Sequence, residues 1–223
     1  MIEVRYLGHS TVLLTDGRVK IVIDPFVEGN PKAAVSLNEL SADLVLVTHA
    51  HGDHWGDAVA LSKKGALLVS TAEIAGYSER LGARVQPMNI GGVYRFEGGW
   101  LKWTPAWHSS SFPDGTYGGM PMGVIVELGG FKVYHAGDTA LFSDMHLIGE
   151  VGLDLALLPI GDNYTMGPDD ALRALELLKP RRVVPIHYDT FPLIAQDGPA
   201  FAQRAHLLGV EAKALRPGES WSF

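Results

Sequence analysis

Cysteine is absent from all 223 residues, which removes a disulfide scaffold, thiolate metal ligation and a cysteine nucleophile together. Charge is sparse at 19% and not basic, with 18 Lys and Arg against 25 Asp and Glu for a formal net charge of −7. That balance works against non-specific nucleic-acid binding. No apolar run approaches the ~18–20 residues of a membrane helix. The opening Met1-Ile2-Glu3-Val4-Arg5 lacks the basic-then-apolar order of a secretory signal. Repeats, low-complexity tracts and linkers are missing as well. The expectations are therefore no membrane partner, no nucleic-acid partner and a cytoplasmic location. A hydrophobic content of 47% leaves ample material for a core, and the whole of 1–223 reads as a single domain.

Short β-type runs cover Ile2–Leu7, Thr11–Thr15, Val19–Asp24 and Leu44–Thr48. Helical patterns follow at Trp55–Lys64 and Thr71–Leu81, with strands at Leu67–Ser70 and Arg84–Asn89. A strand-rich stretch runs from Val93 to His108, and Gly129-Gly130 joins Gly123–Leu128 to Phe131–Ala136 in a hairpin. The last third alternates a strand at Asp154–Ile160, a helix at Pro168–Lys179, a strand at Arg182–Ile186, a helix at Pro199–Leu208 and a closing strand at Val210–Leu215. Sheet and helix mix in both halves, which predicts an α/β fold of two sheets packed face to face with helices outside.

Three of the nine histidines fall within Thr48-His49-Ala50-His51-Gly52-Asp53-His54, directly after the Leu44–Thr48 run. A solvated polar loop is the plain alternative, but so many imidazole and carboxylate groups are hard to bury without something to neutralise them. A divalent cation does so, because neutral imidazole and ionised Asp are suitable ligands. His49 and His51, two residues apart on an extended segment, can point to one side. Asp53 and His54 lie where the chain turns into a helix and can face a second centre. Further ligands are available at other strand ends: His108, Asp138 and His187. A carboxylate such as Asp138 has two oxygens and can bridge two ions.

These residues, His49-x-His51-x-Asp53-His54 followed by His108, Gly137-Asp138-Thr139 and His187, resemble the metallo-β-lactamase superfamily of metal-dependent hydrolases. Leu7-Gly8-His9-Ser10, Asp24-Pro25-Phe26 with Asn30-Pro31, Tyr117-Gly118-Gly119 and Thr165-Met166-Gly167 are similar to its stand-alone UPF0173 type, related to the ascorbate-6-phosphate lactonase branch. The resemblance implies a four-layer αβ/βα sandwich with two divalent metal ions at one edge, zinc first, with manganese, nickel or iron as alternatives. It implies His49, His51 and His108 on one ion, Asp53, His54 and His187 on the other, and Asp138 between them, with Asp53 and Asp138 as the catalytic carboxylates.

Water held between two cations becomes a hydroxide nucleophile near neutral pH. The expected activity is hydrolysis of a small or medium-sized ester or lactone. A phosphodiesterase or ribonuclease of the same superfamily and a non-catalytic metal-binding protein are the alternatives. A small molecule is the expected partner, and a homo-oligomer is left open.

Other residues have two readings each. His9 is a structural histidine or a contact to ligand or substrate. Asp24 caps the turn at Pro25 or bonds a ligating histidine from behind. Tyr117, in the long polar loop 109–119, and Asn163, in 162–167, line the groove or merely connect. His135 is expected to be structural, and His146 and His206, in helical patterns, to be surface or satisfied histidines. Trp100, Trp103 and Trp107 are expected in the core, with pocket lining as the second reading for Trp107, which adjoins His108.

Overall fold

Short apolar strands alternating with helices build two seven-stranded sheets in the computed structural model, which describes residues 1–223. The first half of the chain supplies β1 (Glu3–Gly8), β2 (Thr11–Thr15), β3 (Lys20–Ile23), β4 (Leu44–Leu46), β5 (Leu67–Thr71) and β6 (Val85–Met88). The second half supplies β7 (Val93–Phe96), β8 (Gly99–Pro105), β9 (Met122–Leu128), β10 (Phe131–His135), β11 (Leu155–Pro159), β12 (Arg182–Ile186) and β13 (Glu211–Ala212). The last strand, β14 (Ser220–Ser222), returns to the first sheet.

The spatial orders are β14-β1-β2-β3-β4-β5-β6 and β7-β8-β9-β10-β11-β12-β13. Each sheet is antiparallel through its first four strands and parallel from the fourth onward.

The two sheets face each other across a core that includes Val4, Leu14, Ile21, Leu46, Trp103, Val124, Leu157 and Val184. Helices α1 (Gly52–Trp55), α2 (Ala58–Lys63) and α3 (Ala72–Arg80) lie on the first-sheet side, where Ala58, Leu61 and Ile74 pack with Val22, Val45 and Leu68. On the second-sheet side, α4 (Met145–Gly149), α5 (Pro168–Leu178) and α6 (Gly198–Leu207) bury Met145, Leu175 and Phe201 against Ala156, Leu158 and Val183. Strands covered on both faces read as unbroken apolar runs, as in the fully buried Leu155–Pro159. The result is the expected αβ/βα sandwich.

Most expected elements form within a residue or two. Helix α5 begins with Pro168 in its first turn and Asp169 and Asp170 beside its positive end. It stops at Lys179 in a left-handed conformation, ahead of Pro180. The helix expected at Trp55–Lys64 is instead split into α1 and α2. Gly56 takes a positive φ there and comes so close to the Pro25 carbonyl that no side chain would fit.

The closing strand expected over Val210–Leu215 shrinks to β13. Beyond it, Leu215 turns into the core between the sheets, and a turn at Pro217-Gly218 leads to β14, which buries Trp221 against the first sheet. A three-residue strand and the five-residue helix α4 are too short to register as a periodic pattern.

Candidate metal centre

Strands β1, β3, β4 and β5 run the same way through their sheet, as do β8, β10, β11 and β12 through theirs. Their carboxyl ends therefore collect at one edge of the sandwich, a usual place for sites in α/β folds. His9 follows β1, Asp24 follows β3, and residues 48–54 follow β4. From the other sheet come His108 after β8, Asp138 after β10 and His187 after β12.

His9, Asp24 and His187 all hold left-handed backbone, with φ of 59°, 49° and 53°. A non-glycine residue in that region costs about 1–3 kcal/mol, and such residues cluster where function constrains the chain. Gly137 also has positive φ (62°), and a Cβ there would lie 2.6 Å from the Met122 carbonyl oxygen. Glycine is required for the turn that delivers Asp138.

All seven expected ligands meet. Asp138, 3% exposed, sits in the middle. Its Oδ1 lies 3.3 Å from His54 Nε2, and its Oδ2 lies 3.0 Å from His187 Nε2, 3.5 Å from His108 Nε2 and 3.9 Å from His49 Nε2. His49 Nε2 is 3.1 Å from His51 Nδ1, and the ligand atoms of His49, His51 and His108 lie within 4.8 Å of one another. Asp53, His54 and His187 form a second group of the same tightness, and His9 joins it. Asp53 Oδ2 is 3.8 Å from His54 Nε2, 3.9 Å from His187 Nε2 and 3.0 Å from His9 Nε2.

Neighbouring groups fix which nitrogen of His49 and of His54 is turned to Asp138. The Thr48 hydroxyl donates to Asp24 Oδ2 at 2.7 Å, so its lone pair is left to accept from His49 Nδ1 at 3.0 Å. His49 Nε2 then carries the lone pair. Asp24 Oδ2 accepts from His54 Nδ1 at 2.8 Å and its Oδ1 from the Thr48 backbone N–H, also at 2.8 Å, which frees His54 Nε2. Carboxylates placed behind metal-ligating histidines orient the ring and raise its basicity.

Of the two readings for Asp24, the hydrogen-bond partner of His54 is the one found. The chain does pass into Pro25 there, but the carboxylate is spent on Thr48 and His54. His9, fully buried, reaches Asp53 with Nε2 and Thr190 Oγ1 with Nδ1 at 2.8 Å. Asp53 can only accept, so a neutral His9 donates from Nε2 and accepts the Thr190 hydroxyl proton at Nδ1.

Electrostatics show how far this arrangement departs from ordinary side chains. Burial pushes His9 down to about 4, opposed by its bond to Asp53. Burial, reinforced by His54, drives His49 well below the imidazole range. His54 moves the other way: burial opposes its charge, but Asp138, Asp24 and Asp53 together outweigh burial and raise it well above that range. Burial likewise resists ionisation of Asp138, yet His187 and His54 hold it ionised well below the usual carboxylate value. Asp24, Asp53 and Asp138 have only histidine partners in their ion pairs, and no Lys or Arg.

The buried atoms His54 Nε2, Asp138 Oδ1 and both His187 nitrogens have no hydrogen-bond partner. Leaving such groups unsatisfied costs roughly 1–3 kcal/mol each. His54 Nε2 and His187 Nε2 converge on Asp138, and a cation among them satisfies these atoms and Asp138 Oδ1 together. The residues present thus fit divalent metal.

The remaining expectations divide. His135 is buried in β10, bonded through Nε2 to the Ser10 carbonyl and through Nδ1 to the Gly137 N–H, so it is structural as expected and steadies both strand exits. His146 and His206 are exposed on α4 and α6. Trp103 is core, Trp100 is half-buried, and Trp107 is 69% exposed beside His108. The 109–119 loop borders the centre, with Ser109 Oγ 3.4 Å from His51 Nε2. Tyr117 is 62% exposed on that loop and Asn163 is exposed on its own turn; neither bonds a ligand residue.

Sequence reasoning missed the Asp53–His9–Thr190 relay and the part played by Thr48. Thr48 adjoins the motif and carried a signal. Thr190 had none, since only the fold brings it to His9. A separate cavity of about 670 Å³, lined by Tyr6, Lys32, Tyr188 and Arg216 among others, contains none of the seven ligand candidates.

Comparison with known proteins agrees with the geometry. The family described as the beta-lactamase superfamily domain matches residues 3–187. A UPF0173 metal-dependent hydrolase of Thermus thermophilus is 75% identical over 219 residues, covering 98% of both chains. One from Deinococcus radiodurans is 54% identical over 224 residues and 99% of each. The solved structure of Igni18, a metallo hydrolase of the archaeon Ignicoccus hospitalis, superposes with a TM-score of 0.90 at 39% identity, covering 100% of this chain and 99% of that one. With the His- and Asp-bearing strand ends, the sandwich and these relatives in agreement, the chain belongs to the metallo-β-lactamase superfamily and, within it, to the UPF0173 metal-dependent hydrolases.

Proposed function

We propose that the protein is a dinuclear metal-dependent hydrolase acting on a small or medium-sized ester or lactone. The observation that carries this reading is the Asp138 carboxylate, whose two oxygens face imidazoles of both clusters, His54 on one side and His49, His108 and His187 on the other. His49, His51 and His108 would hold one ion, Asp53, His54 and His187 the second, and Asp138 would be shared. Bound there, divalent cations supply Lewis acidity, lowering the pKa of a water to about 7 and polarising the bond under attack. Mixed imidazole and carboxylate donors suit zinc, with manganese, nickel and iron also compatible.

The chain's own groups perform the positioning. Asp24 and Thr48 keep the ring nitrogens of His54 and His49 free on the side facing Asp138. His9 and Thr190 hold one oxygen of Asp53. Burial keeps bulk water from the inner histidines, while His51 and His108 stand partly open to solvent and mark the side from which substrate enters.

The test is metal content together with turnover. Protein saturated with metal should hold two ions per chain and hydrolyse an activated aryl ester or a lactone. Chelation should abolish the activity and a divalent ion should restore it. One ion at saturation would overturn the dinuclear reading, and activity surviving complete metal removal would overturn the mechanism.

A further inference from the structure

We propose that the part of the substrate outside the scissile bond is apolar and bears no negative charge, so that the site takes hydrophobic acyl or aryl esters and lactones rather than phosphorylated compounds or nucleic acid. This rests on the hydrolase reading above and adds what lies around the metals.

The first observation is a missing charge. Residues 8–10, 24–31, 48–57, 106–121, 136–145, 160–168 and 187–198 form the strand ends and loops at the ligand-bearing edge, and none of them contains Lys or Arg. Besides Asp24, Asp53 and Asp138, the same segments carry Glu28, Asp57, Asp114, Asp144, Asp162, Asp189 and Asp197. Lys32, which directly follows the 24–31 segment, lines the separate cavity with Tyr188 and Asp189, and the Arg80 guanidinium lies 5.4 Å from the Tyr77 ring. Sites that read phosphate or carboxylate groups use Arg and Lys forks or a free helix N-terminus. The N-terminus of α5, the helix that follows the 160–168 segment, is already supplied with Asp169 and Asp170.

The second observation is what replaces the missing charge. Trp107 (69% exposed), Tyr164 (56%), Phe191 (39%) and Leu193 (66%) stand on three of these loops. Trp107 is not loose. Its backbone N–H donates to Thr139 Oγ1 at 3.0 Å and its carbonyl accepts from Ala140 N at 3.1 Å, which ties its backbone next to His108 and Asp138. The loop bearing Tyr164 is tied to the same turn by Met166 N donating to the Thr139 carbonyl. Phe191 meets the His9 ring edge-on at 5.7 Å. Exposed apolar side chains on the loops that border a site are positioned to meet what enters it.

Neutral, hydrophobic substrates match both observations. In hydrolysis the water oxygen bonds to the acyl carbon as the acyl carbon–oxygen bond to the alcohol breaks. One water proton ends on the alcohol oxygen, and the acid formed releases the other to solvent. The carboxylate product then faces a mouth with acidic groups and no side-chain cation, which favours its departure.

The experiment compares p-nitrophenyl acetate, octanoate and hemiglutarate on the two-metal protein, with bis(p-nitrophenyl) phosphate as a further arm. Binding of the unreactive 2-octanone is followed by tryptophan fluorescence, and mass by light scattering. We expect KM to fall at least tenfold from acetate to octanoate and the anionic hemiglutarate to be the poorest ester. Trp107→Ser and Leu193→Ser should each collapse the octanoate preference and weaken 2-octanone binding severalfold. Equal or better turnover of hemiglutarate, or no dependence on chain length, overturns the proposal. Turnover of the phosphodiester alone overturns it while leaving the hydrolase reading standing. If two ions bind and nothing is hydrolysed, the hydrolase reading fails, and 2-octanone binding lost in Trp107→Ser still supports the apolar mouth. A lower mass for the variants identifies the rim as an interface between copies and overturns the proposal.

Discussion

Asp24 and His54 are joined by a 2.8 Å hydrogen bond between two side chains with no solvent exposure at all. His54 in turn is the residue whose other nitrogen faces both Asp138 and Asp53. The carboxylate that never reaches the centre thus determines how one of its candidate ligands is presented.

Asp24→Asn keeps the shape but replaces an acceptor-only group with an amide that can point a donor at His54 Nδ1. Loss of such an outer partner typically costs 10–100-fold in metal affinity. We expect the second ion to be lost at chelator concentrations that leave the first in place. Competitive chelator titration of parent and variant checks this.

Asp138→Ala should abolish hydrolysis even in excess metal, because its two oxygens serve both clusters. His135→Ala, three residues upstream, is the matched control. It removes bonds to the Ser10 carbonyl and the Gly137 N–H, with an expected stability loss of about 1–3 kcal/mol. The folded fraction of that variant should still turn over substrate at a lowered Tm. Calorimetry and initial rates on both variants decide the matter, and an active Asp138→Ala protein would remove the carboxylate from the mechanism.

Metal-free protein should weaken as pH falls from about 6.5 towards 4. His9 has an imidazole pKa lowered from 6.5 to about 4 by burial. Between those values the unfolded chain takes up a proton that the folded one refuses, so stability present above pH 6.5 is lost as pH falls. The His9 contribution is on the order of 3 kcal/mol, and His49, lowered by burial and by His54, acts in the same direction. His54, raised chiefly by Asp138 against the opposing effect of burial, contributes stability that is full at low pH and fades as pH rises. His9→Gln should therefore flatten the profile of Tm against pH measured in chelator, and an unchanged profile would show that His9 does not set it.

The legible part of the site was the part written locally. Residues 49–54 declared themselves by spacing, and Asp138 by the glycine and the strand before it. His108 and His187 were legible from their places just past strand ends, which set them apart from His135 inside its strand, and the family's order of motifs assigned each to an ion. The relay from Asp53 through His9 to Thr190 spans separations of 44 and 181 residues, and no local pattern encodes it. In the fold, the same limit explains why the buried strands were plain while the break at Gly56 and the return of β14 were not. Both depend on a distant backbone, the Pro25 carbonyl in one case and β1 in the other.

Counted from their antiparallel edges, β3 and β10 are each the fourth strand, and β1 and β8 each the second. Asp24 and Asp138 therefore occupy the same address in opposite sheets, as do His9 and His108. One half of the chain contributes His49, His51, Asp53 and His54, the other His108, Asp138 and His187, and neither half has a full coordination shell. Anything held at that edge is a rivet between two leaves, added to the backbone bonds from His187 N–H to the His9 carbonyl and from Met122 N–H to the Thr48 carbonyl. A covalent link closing a loop of ~100 residues is worth roughly 4–5 kcal/mol in chain entropy. Heat and chelators would consequently attack one and the same joint, and the open edge of the sandwich is where unfolding should start.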